Sequence, residues 1–331
     1  MLSRVAENLY WLGRYIVRAE NTARLISVHS HLLLDLPRGM TLGWSPLIDI
    51  LGANEAFVER FGGDGALSEA NVVRFLITDT ENRSSVAASI AAAREILRIV
   101  RDSTPRDAWE HLNATHLFLQ ERGERHLPRA QRQTGLDRVI DTMLMMRGIL
   151  GANMSHDVGY QFMRIGMNIE QADMTTRIVD VRTVDLIQSR SSDELQPFQH
   201  IQWMSVLRSL TALQAYRRHE KIRVSGPAVL RFLLQDRGFP RSVLYGLNAV
   251  SYALPRLPAY RGSERSIDRV RALIQDANFE RLLERGLHEW IDEIQIGIGA
   301  IHEALTLSYF KPGEPPPPAQ GSGVQTQTMT A

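Results

Sequence analysis

The segment LSRVAENLYWLGRYIVRAENTARLI, residues 2–26, carries an apolar pattern with the period of an α-helix. Its apolar residues alternate spacings of four and three, so they line one face of a helix and point toward a protein core. The members of this stripe are Val5, Leu9, Leu12, Ile16, Ala19, Ala23 and Ile26. The segment therefore predicts a helix over residues 3–34.

The same helical period extends through nearly the whole chain, and no segment shows convincing strand alternation between turn residues. Several segments also begin with residue types that cap helices, among them Ser45, Ser68, either Ser84 or Ser85, and Thr104. The sequence thus predicts an all-α fold, an antiparallel helical bundle or array. Further helices are predicted at about 135–151, 155–190, 197–220, 227–236, 240–254, 263–275 and 278–309.

The composition argues against several kinds of chemistry. The 331 residues include no cysteine, so disulfides are excluded. The formal net charge is only +1, which does not favour a nucleic-acid partner. No glutamate precedes a histidine by three residues, as a ferritin-like metal site requires, and no Gly-Lys pair exists for a phosphate loop. The acids around His288 are interpreted as a solvated helix face. We expect no metal and no cofactor.

Apolar run lengths and local composition lead to expectations about cellular location and domain boundaries. No apolar run reaches the ~20 residues of a membrane-spanning helix, and Arg4 and Glu7 are unlike a signal peptide. A cytoplasmic protein without membrane contact is expected. Residues 1–311 are predicted to form one helical domain, with halves at about 1–125 and 135–311. Residues 312–331, rich in proline and small polar residues, are predicted to be a disordered tail.

An internal repeat relates the two halves. Residues 10–26 (YWLGRYIVRAENTARLI) align with residues 163–179 (MRIGMNIEQADMTTRIV) at an offset of 153, and both segments carry the same apolar stripe. The economical interpretation is two related halves that share one core, with the repeated helices in contact about a pseudo-two-fold axis. The clearest matches are Gly13 with Gly166, Ile16 with Ile169, Ala19 with Ala172, Glu20 with Asp173, Thr22 with Thr175 and Arg24 with Arg177.

A charged line lies beside each stripe and supplies the candidate site. Each line places an acid four residues before an arginine, Glu20 with Arg24 and Asp173 with Arg177, the favoured order for a helix ion pair. There are two interpretations of these pairs. Either each pair only stabilises its own helix, or the two pairs face each other across the halves and form a charged groove. Glu20, Glu170 and Asp173 are the acid–base candidates. The arginines that could bind an anionic ligand are Arg14, Arg18, Arg24, Arg94, Arg98, Arg177 and Arg241.

These motifs resemble the bacterial alpha-E family, all-helical proteins that occur beside, or fused to, ATP-grasp-type amide ligases and transglutaminase-like proteins. The resemblance implies an accessory partner of an amide ligase; the alternative is an enzyme of amide-bond formation or modification with an arginine-bound anionic substrate. The family usually carries Glu-Arg before the Ala-acid pair in both copies. Here the first copy has Val17-Arg18 and the second has Glu170-Gln171, so any site that needs both pairs is asymmetric.

Overall fold

The structure, a computed structural model, describes residues 3–35, 42–188, 196–220, 224–258 and 261–311. All regular secondary structure in these ranges is helical, as predicted, while the tail proposed at 312–331 lies outside the described residues. The helices are α1 Ser3–Asp35, α2 Ser45–Leu51, α3 Asn54–Phe61, α4 Glu69–Ile77, α5 Val86–Ile99, α6 Arg106–Arg122, α7 Arg129–Asn153, α8 Val158–Gln188, α9 Gln196–Ser209, α10 Leu213–Glu220, α11 Gly226–Gln235, α12 Val243–Ala253, α13 Arg261–Gln275, α14 Phe279–Glu284 and α15 Leu287–Leu305.

Two predicted N-caps are confirmed. The side chain of Ser68 accepts a hydrogen bond from the backbone N–H of Asn71, and that of Ser85 accepts one from the N–H of Ala88. Each bond satisfies a donor that the first helical turn leaves unpaired. Ser45, by contrast, is the first residue of α2 and not its cap.

Three predicted helix boundaries are wrong, for local reasons. The segment predicted as one helix over 197–220 breaks at Thr211, and the segment over 278–309 breaks at Gly286, both at positive φ (53° and 87°). Apolar periodicity continues on both sides of each break, so it could not reveal them. The helix predicted from residue 135 begins at Arg129, directly after Pro128, where a proline commonly precedes or opens a helix.

The two longest helices, α1 and α8, pack against each other with their backbones in close contact. A Cβ added to Gly13 would lie 2.2 Å from the carbonyl oxygen of Met163, and one added to Gly166 would lie 2.0 Å from that of Tyr10. Only glycine permits this approach. The contact predicted between the repeated helices is therefore observed. In the part of the chain that the structure describes, no helix is both long and apolar enough to cross a membrane.

The buried apolar residues form two clusters, whereas the sequence suggested one shared core. One cluster is built mainly from the first half of the chain and the other mainly from the second. The α1–α8 pair lies between them, and each of these helices contributes a side chain to the cluster of the other half. Tyr10 of α1 belongs to the second cluster, and Met163 of α8 belongs to the first. The long helices thus tie the two cores together.

Equivalent hydrogen bonds attach each long helix to a partner helix in its own half. Thr22 Oγ1 donates to the carbonyl of Ser84, just before α5, at 3.3 Å. Thr175 Oγ1 donates to the carbonyl of Arg241, just before α12, at 2.9 Å. A duplication of the two halves would produce such a correspondence; the duplication itself stays a prediction.

Candidate functional site

Charged side chains from α1, α7, α8 and the turn before α12 meet where α1 packs on α8. Most of them are buried or half-buried, and ion pairs join α1 to α8, to α7 and to Arg241 in the turn before α12. We call this group the charged cluster. Its members are Arg14, Arg18, Glu20, Arg24, Arg147, Glu170, Asp173, Arg177 and Arg241.

Glu170 joins the two long helices. Its side chain is 2% exposed, and both of its carboxylate oxygens accept from arginines of α1. Arg14 donates from Nε to Oε2 at 2.6 Å, and Arg18 donates to Oε1 at 2.6 Å and to Oε2 at 3.1 Å. Burial would raise the pKa of Glu170, but the two guanidinium groups outweigh it and hold that pKa at about 2. Glu170 is therefore ionised at neutral pH.

Glu20 is fully buried and lies beside three arginines. Its Oε1 accepts from Arg24, one turn further along α1, at 3.0 Å, and also from Arg241. Nη1 of Arg147 lies 3.4 Å from Oε2. Burial opposes ionisation, but the charges of Arg241, Arg147 and Arg24 lower the pKa of Glu20 below its ordinary value. This carboxylate too is ionised.

Asp173 differs from the two glutamates. It accepts a hydrogen bond from Arg177, one turn further along α8, at 3.0 Å, which is the pair that the sequence predicted. Its side chain is 16% exposed. Burial raises the pKa of Asp173, and the nearby charge of Glu170 adds to this, while Arg177 only partly offsets it. Asp173 is the one candidate acid in the cluster whose pKa rises.

Tyr10 connects the cluster to the last α-helix of the described chain. Its hydroxyl lies 2.8 Å from Nδ1 of His302 in α15 and accepts a bond of 3.3 Å from Arg14. Burial raises the pKa of Tyr10 to about 12, and burial together with the Arg14 charge lowers the pKa of His302. Both groups are neutral at pH 7. Sequence reasoning missed this contact, because helical spacing does not reveal which distant helix faces Tyr10.

Two predicted ligand-binding arginines lie away from the cluster. Arg94 donates to Asn113 at 2.7 Å and pairs with Glu95. Arg98, with 62% of its side chain exposed, donates to the same Glu95 at 2.9 Å. Spacing correctly put both arginines on one side of α5, but that side lies against α6 at Arg94 and in solvent at Arg98, not at the α1–α8 contact. The structure brings together the other five, Arg14, Arg18, Arg24, Arg177 and Arg241, and adds Arg147, which the sequence reasoning missed.

A second polar group lies at the contact of α8 with α15. Nδ1 of His288 is 2.7 Å from Oδ1 of Asp180, and Nε2 is 3.7 Å from Oδ2 of Asp292. One potential ligand atom from each residue lies within 4.8 Å of the others, so the three could hold a metal ion. They also satisfy one another as ion pairs, and the Asp180 contact raises the pKa of His288. The predicted solvated face omitted Asp180, which comes from another helix.

The charged cluster is suited to holding charge in fixed positions. Its two glutamates are ionised and paired, so neither is poised to give or take a proton near neutral pH. Two cavities in the described structure lie elsewhere. One, of about 360 Å³, is lined by Trp44 and Arg132, and the other, of about 520 Å³, by Trp290 and Arg281. Neither is lined by the three candidate acids.

Comparisons with known proteins agree with the helical architecture. The model of the Alpha-E family, described as a predicted alpha-helical domain with a conserved ER motif, matches residues 1–310. Similar curated proteins include Uncharacterized protein Mb2597 of Mycobacterium bovis, 27% identical over 327 residues, and Uncharacterized protein Rv2567 of Mycobacterium tuberculosis, 26% identical over 327 residues. Each match covers 90% of this chain and 35% of the relative. The chain thus spans about a third of their length. No solved structure matches.

Proposed function

Since this chain belongs to the Alpha-E family, we propose that it acts as a non-catalytic accessory partner of an ATP-grasp-type amide ligase. One observation carries this choice over an enzyme: Glu20 and Glu170 are buried, ionised and paired with arginines. A general acid or base works best with a pKa near the operating pH, and both of these pKa values lie below their ordinary range. Such a cluster holds α1 against α8 and presents arginines in fixed positions.

The lengths of the relatives support a role beside other domains. In the mycobacterial proteins the matching region is about a third of the whole chain, so the domain there is covalently joined to additional protein. The resemblance to a family whose members occur beside ATP-grasp ligases supports this class of partner. This chain has no Gly-Lys phosphate loop, which favours a partner that supplies the ATP chemistry.

The test is reconstitution with the ATP-grasp-type protein of the same organism. We expect the purified chain alone to release no ADP and form no amide, while its addition raises the ligase's rate of ATP-dependent amide formation. ADP release and mass spectrometry of the products measure both. The proposal would be contradicted if the chain alone formed or hydrolysed an amide, or if adding the chain left the rate of the ligase unchanged.

Asp173 supports the alternative, an enzyme that acts on amide bonds. It is the candidate acid in the cluster whose pKa is raised and whose side chain reaches solvent. In an enzyme, Asp173→Asn would abolish turnover by the isolated chain and leave folding intact. In an accessory protein, the same variant has no turnover to lose.

A further inference from the structure

Arg147 is an unusual member of the charged cluster. It comes from α7, and its guanidinium lies 3.4 Å from Glu20 without donating a hydrogen bond to any described residue. Its Nε is buried without a partner, as are Nε of Arg24 and Oε2 of Glu20, the oxygen that Arg147 approaches. Buried N–H groups of folded proteins almost always find an acceptor. Glu20 Oε2 is one acceptor within reach of Arg147, but each guanidinium carries five N–H groups, so the described residues leave some donors of Arg147 and Arg24 unsatisfied.

The balance of charge points to the same place. Among the described residues, the cluster contains six arginines and three carboxylates. The single carboxylate of Glu20 has three of these arginines as neighbours, Arg24, Arg147 and Arg241. Burial lowers the pKa of Arg147, and the neighbouring charges of Arg241 and Arg24 lower it further, although Glu20 opposes this. Like charges packed at low exposure are unfavourable unless something neutralises them. A bound anion would do so.

From the unsatisfied donors and the excess positive charge, we infer that the cluster binds an oxyanion, the phosphate or carboxylate group of a small molecule, between Arg147 and Arg24. Guanidinium groups match the geometry of both anions. The side chain of Arg147 is 28% exposed and that of Arg24 15%, while Nε of both is buried, so an anion would approach the exposed part of the Arg147 side chain first. The biological meaning rests on the proposed function, because amide ligases handle carboxylates and phosphates, but anion binding is a property of this chain alone.

Isothermal titration of the full chain tests the inference. Inorganic phosphate and succinate are titrated separately, with ionic strength held constant by sodium chloride. We expect saturable binding of at least one of them. Binding of phosphate alone identifies a phosphate site, and binding of succinate alone identifies a carboxylate site. Heats that match the chloride control for both anions would overturn the inference.

Variants locate the site. Arg147→Met should keep the fold, because it relieves crowding among three arginines, and should weaken anion binding by about tenfold or more. The matched control is Arg106→Met, which removes an arginine paired with Glu110 at the surface and should leave binding unchanged. Equal affinity in wild type and Arg147→Met would refute the assigned position.

A spectroscopic readout needs no variant that might fail to fold. In the wild-type chain, the ¹⁵N resonances of Arg147 Nε and Arg24 Nε should shift on addition of the binding anion and not on addition of chloride. Unmoved resonances at saturation would also refute the position. If the chain binds anions but its addition leaves the rate of the ligase unchanged, the proposed function fails and this inference stands.

Discussion

The carboxylate of Glu170 holds Arg14 and Arg18 of α1 against α8, so its charge contributes to the free energy of folding. Glu170→Gln keeps the shape of the side chain and leaves the two guanidinium groups without a counter-charge. For a residue outside a buried pair, such a substitution typically costs less than about 1 kcal/mol. Because the structure buries the pair, we expect a loss of about 3 kcal/mol, measured by urea unfolding.

The control for Glu170→Gln is a glutamate in an exposed pair. Glu110 accepts from Arg106 at 2.7 Å, with both side chains more than half exposed. Glu110→Gln should change the free energy of unfolding by less than about 0.5 kcal/mol. If both substitutions cost equally little, Glu170 does not belong to a stabilising buried pair.

At the scale of elements, the crossing of α1 and α8 depends on Gly13. The Cβ of Gly13→Ala would overlap the carbonyl oxygen of Met163 at 2.2 Å, so the helices would have to separate. We expect a loss of at least about 2 kcal/mol in the free energy of unfolding. The control, Gly148→Ala in α7, meets nothing within 4 Å and should gain about 0.5–1 kcal/mol from helix propensity. Two gains would contradict the close crossing.

The predicted repeat relates the two departures from the family motif to each other. Under the predicted repeat, Val17 corresponds to Glu170 and Gln171 to Arg18. The counterpart of the observed Arg18–Glu170 ion pair would then be the uncharged Val17 and Gln171. Val17→Glu alone should destabilise the fold by about 3 kcal/mol, as an unpaired buried charge. Gln171→Arg alone should also be unfavourable, because Gln171 accepts from Arg241.

The double variant tests whether the two losses are linked. If Val17 and Gln171 occupy a lost pair, the combination should cost at least about 1 kcal/mol less than the sum of the single costs in a double-mutant cycle. Costs that simply add would show that these positions do not interact. The pseudo-two-fold relation between the halves would then lose its main energetic support.

The helical period predicted what each helix buries but not which helix lies opposite. It correctly gave the all-α class, and the repeat gave the α1–α8 contact, because matching glycines mark a close approach. It missed Arg147, Tyr10 and Asp180 as site neighbours, since their partners are distant in sequence. Burial of Glu170 was equally hidden, because a charged residue beside an apolar stripe can face either solvent or another helix.

At the scale of the whole molecule, the C-terminal end of the described chain packs against α1 and α8. Phe310 packs with its ring centroid 5.2 Å from that of Tyr10 and 5.8 Å from that of Phe162. The family match also ends at residue 310. Deletion of 312–331 should therefore leave the thermal midpoint unchanged, whereas deletion of 306–331 removes the Phe310 contacts and should lower it by several degrees. A large drop on deletion of 312–331 would contradict this.

The central claim is that the charged cluster is an ion-paired framework and not an acid–base centre. The most direct test is the ¹³C carboxyl resonance of Glu170, followed from pH 7 downward in labelled protein. With a folded-state pKa of about 2, below the ordinary 4.5, the stabilisation that ionised Glu170 contributes is complete above pH 4.5 and is lost as the pH falls toward 2. We predict no titration of this resonance between pH 7 and about 4. A titration midpoint between about 5 and 7, the range of a general acid, would contradict the account.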